Sequence, residues 1–206
     1  PEIISTQPLA KRREAILTGI FGNSSRSNSV SDHSPFKQAV GIDDLAVYIP
    51  QLYLPLEGEF SRRREIDPGK LTRGIGIERM AIPDAHEDAA TMAAMSLLEL
   101  MRRCDLLPED IGKIHVGTES AVDEAKAIGT YVIGMLEKVY GPGSFQHCST
   151  VEFKSACIGT TLALESISYW VAADEGERVG VVIASDVAKY PLGSSGEYTQ
   201  GAGSVS

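Results

Sequence analysis

Apolar residues follow two different spacings along the chain, and each spacing predicts a type of element. Residues 111–117 are predicted to form a short buried strand. Residues 178–185 are a continuous run rich in β-branched residues, as is typical of a strand buried on both faces. Residues 84–104 repeat apolar positions at helical spacing, and so do two further stretches, one after Ser120 and one after Cys157. Strands that alternate with helices predict an α/β fold, with helices on both faces of one sheet.

Capping patterns predict where two of these helices begin. Asp84 followed by Glu87 fits a capping box ahead of the stripe over residues 84–104. Ser120 followed by Asp123 fits a second helix start. Glu119 is then expected between the carboxyl end of a strand and a helix, which is where α/β sheets bind ligands. The alternative for Glu119 is an exposed loop carboxylate with no chemical role.

Cys157 is a candidate nucleophile because of the pattern around it. An apolar approach through Val151 and Phe153 leads into a turn of small residues, and a helical pattern begins at Cys157. A cysteine in the first turn of a helix lies among unpaired N–H groups at the positive end of the helix dipole. Both favour the thiolate, which is the nucleophilic form. The alternative is a buried cysteine that packs as a small hydrophobe.

Two further segments have the composition of loops. Residues 191–203 are rich in glycine, and Gly201 and Gly203 permit close approach of the backbone to a ligand or to a packed neighbour. Residues 67–70, Asp-Pro-Gly-Lys, predict a turn. The three arginines at 62–64 are most simply a solvated face, with contact to a phosphate as the alternative.

Composition limits the possible partners. The chain has 206 residues and a formal net charge of −9, which argues against binding to a nucleic-acid backbone. Its three cysteines have neither disulfide nor metal-site spacing, so we expect no metal and a reducing, cytoplasmic location. Apolar runs stay short of the roughly 20 residues that a membrane span needs, so no membrane association is expected.

The first 39 residues differ from the rest of the chain. They are rich in serine and offer little to bury, so residues 1–39 are predicted to be a flexible extension. Folding is predicted to begin near Val40, which makes residues 40–206 the folded part.

Three stretches of that folded part resemble hydroxymethylglutaryl-CoA synthase, a member of the thiolase superfamily. They are residues 117–127, 154–160 and 194–203, and residues 40–45, 67–70 and 74–77 add support in the same order. The resemblance covers residues 40–206 and is closest to the bacterial branch. It implies a thiolase-like layered αβαβα fold of which this chain is the N-terminal half, with the C-terminal half absent.

The resemblance also implies a reaction. The family condenses acetyl-CoA with acetoacetyl-CoA to 3-hydroxy-3-methylglutaryl-CoA in the mevalonate pathway, with CoA thioesters as substrates and no cofactor. Cys157 matches the nucleophile that carries the acetyl group, and Glu119 matches the general acid/base. The family's catalytic histidine would lie beyond Ser206, so the chain alone is expected to be inactive.

The resemblance also implies substrate-binding roles at matching positions. Asp67, Pro68, Gly69 and Lys70 match the loop that contacts CoA. Ser194 and Thr199 match positions near the acyl group. Three positions depart from the family pattern: Tyr198 stands where proline is usual, Ile158 where an aromatic residue is common, and Ser155 where an acidic or amide residue is usual. These departures are expected to alter the acyl pocket.

The resemblance leaves three interpretations of the chain. The first is a hydroxymethylglutaryl-CoA synthase that forms a homodimer. The second is a β-branching synthase that performs the same chemistry on carrier-protein-bound acyl groups in polyketide assembly. The third is a non-catalytic half-subunit that assembles with a chain supplying the histidine. In each case, a half of this fold on its own is expected to expose a large apolar face.

Overall fold

A five-stranded mixed sheet is the centre of the computed structural model, which describes residues 40–174 and 178–206. The predicted extension over residues 1–39 lies outside the described residues. The strands are β1 Val47–Tyr48, β4 Ile111–Gly117, β5 Ser149–Phe153, β6 Val179–Ala188 and β7 Gly201–Val205. Their order in the sheet is β1-β7-β6-β4-β5; β4 runs parallel to β5 and β6, and β7 runs antiparallel to β6 and β1.

A small antiparallel sheet and four helices complete the described part. The small sheet pairs β2 Leu52–Pro55 with β3 Arg79–Ile82. Short helical turns lie at Lys70–Ile75, Pro108–Asp110, Ala156–Ile158 and Ser195–Thr199. The helices are α1 Ser61–Arg63, α2 Ala89–Arg103, α3 Ile128–Tyr140 and α4 Gly159–Ala173.

Side chains that alternate along β4 contact helices on both faces of the large sheet. Ile114 and Val116 are fully buried in the main core with α2 and α3. On the opposite face, Gly117 packs against the start of α4 and the Lys113 ammonium lies 5.6 Å from the Trp170 ring. Successive residues of a strand point to opposite faces, so one short strand contacts both helical layers. The predicted α/β class is confirmed.

Helix α2 begins four residues later than its capping pattern predicts. Asp88 caps α2: its side chain accepts the Thr91 N–H at 2.7 Å, and the Thr91 hydroxyl oxygen accepts the Asp88 N–H at 2.7 Å. Glu87 instead accepts the Asp84 N–H at 2.7 Å in a separate turn. The prediction of a helix start at Asp84 is therefore wrong, because the reciprocal cap lies one turn further on.

The second helix start is also later than predicted. Helix α3 begins at Ile128, whose N–H donates to the Glu152 carboxylate at 2.6 Å. Ser120 caps no helix, because its hydroxyl donates to Asp186 at 2.8 Å and accepts the Val187 N–H at 2.8 Å. The partner that holds Ser120 is 66 residues away in the chain, where a local pattern cannot reveal it.

Candidate functional site

The candidate site lies at the carboxyl ends of the parallel strands. Glu119 follows β4 and Cys157 follows β5, while Asp186 lies near the end of β6. Gly117 pairs with Phe153 on one side and with Ala184 on the other, so the three strand ends are in register. Loops after the carboxyl ends of parallel strands form the usual ligand-binding edge of such sheets.

Asp186 fixes the loop that carries Glu119. Its Oδ1 accepts four hydrogen bonds, from the Thr118 hydroxyl and the Glu119 N–H at 2.7 Å each, and from the Ser120 hydroxyl and N–H at 2.8 and 3.1 Å. One carboxylate therefore sets the backbone on both sides of Glu119. The prediction from sequence missed this residue, although a charge directly after the apolar run 178–185 was a usable signal.

Tyr190 contacts Glu119 at the same edge of the sheet. The Tyr190 hydroxyl donates to Glu119 Oε1 at 3.3 Å. The negative charge of Glu119 raises the pKa of Tyr190, and the hydrogen bond and burial raise it further. Because Tyr190 follows β6, as Glu119 follows β4 and Cys157 follows β5, the three residues lie in loops after adjacent parallel strands. Tyr190 is a second residue that sequence reasoning missed.

The backbone presents Cys157 to solvent. Ala156–Ile158 is a single helical turn that leads into α4, which starts at Gly159 rather than at Cys157 as predicted. Ala156 has a φ of +46°, a conformation that residues with a side chain rarely adopt. Cys157 is exposed, so the alternative of a cysteine packed in the core is wrong.

Two glycines bring the Cys157 turn close to the Glu119 strand. An added Cβ at Gly117 would collide with the backbone nitrogen of Thr160, at the start of α4. At Gly159 it would lie 2.6 Å from the Phe153 carbonyl oxygen. That oxygen accepts the Thr118 N–H at 3.2 Å. Strands β4 and β5 and helix α4 therefore meet at a distance that only glycine permits.

The predicted CoA-contacting segment forms the turn that its residues favour. Asp67 Oδ1 accepts the Gly69 N–H at 2.9 Å, and the Lys70 N–H donates to the Asp67 carbonyl at 2.9 Å. Asp67, Pro68 and Lys70 are exposed. The turn follows α1 and is separate in sequence from the strand ends that carry Glu119 and Cys157. Its contact with CoA stays a prediction.

The two residues predicted near the acyl group lie in the glycine-rich loop after Tyr190. The Thr199 hydroxyl is exposed and donates to the Gly196 carbonyl at 2.9 Å. The Ser194 hydroxyl oxygen is buried, and the described part of the chain offers it no hydrogen-bond partner. A buried hydroxyl without a partner is unfavourable, so a polar group of a ligand would satisfy it. The role of both residues at an acyl group stays a prediction.

The remaining cysteines differ from Cys157. Burial is the main cause that raises the pKa of Cys104 and that of Cys148, each to about 11. Within residues 40–174 and 178–206, no group of three or more His, Cys, Asp or Glu side chains could hold a metal ion. None of the helices in these ranges has the length and apolar character that crossing a membrane requires.

Comparison of the sequence with known families identifies one that matches most of the chain. Residues 36–206 match the family model described as "Hydroxymethylglutaryl-coenzyme A synthase N terminal". The hydroxymethylglutaryl-CoA synthase of Haloferax volcanii is 43% identical over 168 residues, which are 81% of this chain and 38% of that protein. The chain thus spans about two fifths of the length of this relative.

Solved structures of similar fold include members of the same family. MvaS in complex with 3-hydroxy-3-methylglutaryl coenzyme A superposes with a TM-score of 0.71 at 36% identity, over 80% of this chain and 38% of that one. The HMG synthase of the curacin biosynthetic pathway, in complex with holo donor-ACP, has a TM-score of 0.67 at 24% identity, over 80% and 39%. The second likeness shows the shared fold alone.

Proposed function

The chain belongs to the hydroxymethylglutaryl-CoA synthase family, and on this premise we propose that it carries the nucleophile and the acid/base of that reaction. The proposed reaction condenses acetyl-CoA with acetoacetyl-CoA to 3-hydroxy-3-methylglutaryl-CoA, as a step of the mevalonate pathway. The observation that carries the proposal is the pairing of Gly117 with Phe153, which sets Glu119, two residues after Gly117, and Cys157, four residues after Phe153, at neighbouring strand ends.

In the first step, the Cys157 sulfur attacks the carbonyl carbon of acetyl-CoA. The new carbon–sulfur bond replaces the bond to CoA, and CoA leaves as its thiol. Exposure of Cys157 supports this role, because the thioester of a large substrate must reach the sulfur. The strained Ala156 directly before it supports the role as well, since strained backbone concentrates at functional sites.

In the second step, the Glu119 carboxylate removes a proton from the methyl group of the bound acetyl. The resulting carbanion adds to the ketone carbon of acetoacetyl-CoA, and the oxygen of that ketone takes up a proton. A positioned carboxylate contributes about 10²–10⁴-fold to such proton transfers. Water then hydrolyses the thioester, which releases the product and returns Cys157 as the free thiol. The histidine that the family uses at the ketone is expected after Ser206.

We assign CoA recognition to the exposed 67–70 turn, and the acyl-group surroundings to Ser194 and Thr199. The Lys70 ammonium is exposed, which suits an anionic ligand such as CoA. The Ser194 hydroxyl oxygen is buried without a partner, which suits a polar acyl oxygen. No cofactor is needed, because a thioester already makes its neighbouring methyl group acidic enough for a carboxylate to act on.

We further propose a cytoplasmic homodimer. Strand β5 is an edge of the large sheet, and its Val151 side chain is 47% exposed. An uncovered strand edge with an apolar side chain favours pairing with a second copy. The three cysteines are free thiols, as a reducing compartment maintains them.

The test is turnover by the native protein together with any chain that follows Ser206. We expect 3-hydroxy-3-methylglutaryl-CoA to form from acetyl-CoA and acetoacetyl-CoA, detected by mass spectrometry. Glu119→Gln should lower kcat by about 10²-fold or more. Glu124→Gln serves as the control, because it changes a fully exposed carboxylate in the same loop. Turnover only with an acetoacetyl carrier protein would favour the β-branching synthase, and full activity of Glu119→Gln would reject the proposed mechanism.

A further inference from the structure

The glycine-rich loop contains a buried charge, Glu197, whose side chain is 2% exposed. Arg64 donates to both of its oxygens, from Nε at 2.9 Å and from Nη2 at 2.6 Å. The Gly193 N–H donates to Oε2 at 2.6 Å. A two-point bond between a guanidinium and a carboxylate fixes orientation as well as distance. The ion pair therefore fixes the orientation of the glycine-rich loop relative to Arg64.

Arg64 departs from the solvated face that its sequence context predicts. Arg62 and Arg63 do lie at the surface, where both pair with the exposed Glu59. Arg64 has a side chain that is only 29% exposed, and its partner is buried. The prediction of three equivalent surface arginines is thus wrong for the third, because its partner lies 133 residues further along the chain.

Aromatic side chains pack next to the ion pair between Arg64 and Glu197. The Arg64 guanidinium lies 5.7 Å from the centre of the Phe60 ring. That ring meets Tyr198 edge to face, with ring centres 6.2 Å apart. Phe60 also belongs to a small core with Leu71, which directly follows the 67–70 turn. The ion pair therefore joins the glycine-rich loop to the segment that carries this turn.

The other end of the loop reaches the candidate site through Tyr190. The Tyr190 N–H donates to the Gln200 side chain at 3.0 Å, which closes the base of the loop. The Tyr190 ring packs on Gly196, where an added Cβ would lie 2.9 Å from Cγ of the ring. Gly196 is the neighbour of Glu197, and the Tyr190 hydroxyl bonds to Glu119. A displacement of Glu197 would therefore displace Tyr190.

We propose that Arg64 and Glu197 are positioning residues: their ion pair sets Tyr190 against Glu119 and holds the 67–70 turn in a fixed relation to this site. Neither residue is placed at the reacting atoms, so they act through the loop between them. The effect of this positioning on turnover rests on the proposed function.

Two variants and one control test the pair in the native protein with any chain that follows Ser206. Arg64→Lys keeps the charge but loses the two-point bond. Glu197→Gln keeps the shape of the side chain but loses its charge. Arg63→Lys is the matched control, because it makes the same exchange on the same short helix against a surface partner. Thermal unfolding followed by circular dichroism establishes which variants are folded.

The decisive readout is the titration of Tyr190, followed by NMR of carbon-13-labelled tyrosine and assigned with Tyr190→Phe. The charged groups that act on this hydroxyl are Glu119, Cys157 and Asp186. Loss of positioning moves Tyr190 away from Glu119, so its titration midpoint should fall in Arg64→Lys and in Glu197→Gln but not in Arg63→Lys. In the same two variants, kcat for condensation should fall about tenfold to a hundredfold with less change in KM.

Separate outcomes test the inference and the proposed function. An unchanged Tyr190 midpoint in folded Arg64→Lys overturns the positioning role, whatever the activity. A shifted midpoint in a protein that turns over no CoA thioester upholds the positioning role and rejects the proposed function. If Glu197→Gln does not fold, the Arg64→Lys titration decides by itself, because that exchange retains the buried charge pair.

Discussion

At the scale of single residues, Cys157 differs from the other two thiols of the chain in its exposure. Cys157 is exposed, whereas burial contributes most to raising the pKa of Cys104 and Cys148 to about 11. A thiol with that pKa is almost entirely protonated at neutral pH, and the thiolate is the reactive form. Exposure therefore favours reaction at Cys157, and the raised pKa disfavours reaction at Cys104 and at Cys148.

We accordingly expect selective alkylation. At pH 7.5, a short pulse of iodoacetamide should modify Cys157 at least about tenfold faster than either other cysteine, as measured by peptide mass spectrometry. Cys157→Ser should abolish the fast phase, and Cys104→Ser should leave it unchanged. Equal rates at the three positions would contradict the exposure and the burial described for them.

Tyr190 provides a residue-scale test of the Glu119 contact. The charge of Glu119 disfavours the tyrosinate, so its removal should lower the pKa of Tyr190 toward the ordinary tyrosine value of about 10. The midpoint of the Tyr190 titration is therefore expected at lower pH in Glu119→Gln, measured by NMR of labelled tyrosine. Tyr131 is the internal control, because its pKa is raised by a hydrogen bond to Asp123. A Tyr190 midpoint that does not move would show that the contact is absent in solution.

At the scale of elements, the meeting of β4, β5 and α4 depends on glycine. A side chain at Gly117 would collide with the backbone of α4, which cannot yield as the end of a flexible side chain does. Gly134 offers the opposite case, since nothing lies within 4 Å of an added Cβ in the middle of α3. Replacement by alanine is therefore expected to change the free energy of unfolding in opposite directions at these two glycines.

We expect Gly117→Ala to lower the free energy of unfolding by about 1–3 kcal/mol, as overpacking of a tight contact does. Gly134→Ala should raise it by about 0.5–1 kcal/mol, because alanine favours the helix. Urea unfolding followed by circular dichroism measures both. If Gly117→Ala proved as stable as the parent, the close packing of β4 on α4 would be wrong.

The same elements show what sequence patterns can and cannot predict. Strand β6 was predictable, because residues 179–183 form a continuous apolar run rich in β-branched residues, as strands buried on both faces do. The start of α3 was not predictable from the sequence, because Ser120 donates to Asp186, which lies on a strand distant in the chain. Glu119 and Cys157 were predicted from local motifs and family resemblance, and their catalytic roles stay a prediction. Asp186, Tyr190 and the Arg64–Glu197 pair depend on tertiary contacts that no local spacing records.

At the scale of the whole molecule, α4 has apolar residues on more faces than the described chain covers. Its buried residues are Gly159, Ala163 and Ile167, whereas Leu164 and Tyr169 are 38% and 54% exposed. A helix that is apolar on most sides is usually enclosed in a larger core. The Haloferax volcanii relative is more than twice the length of this chain, which agrees with further layers over this helix.

The chain of 206 residues, produced by itself, is therefore expected to self-associate. Sedimentation velocity should detect assemblies that become smaller in the double variant Leu164→Gln with Tyr169→Gln. Leu192→Gln is the control, because Leu192 is 79% exposed but lies outside α4. A parent chain that is monomeric and unfolds reversibly in one cooperative step would contradict this expectation.

The most direct test of the central claim is the intact mass of the native protein, with any chain that follows Ser206, before and after incubation with acetyl-CoA. We predict a gain of one acetyl group, located on Cys157 by peptide mapping and absent in Cys157→Ser. Free thiol of CoA should appear in equal amount. No gain in mass with either acetyl-CoA or an acetyl carrier protein, or a gain that persists in Cys157→Ser, would contradict the assignment of Cys157 as the nucleophile.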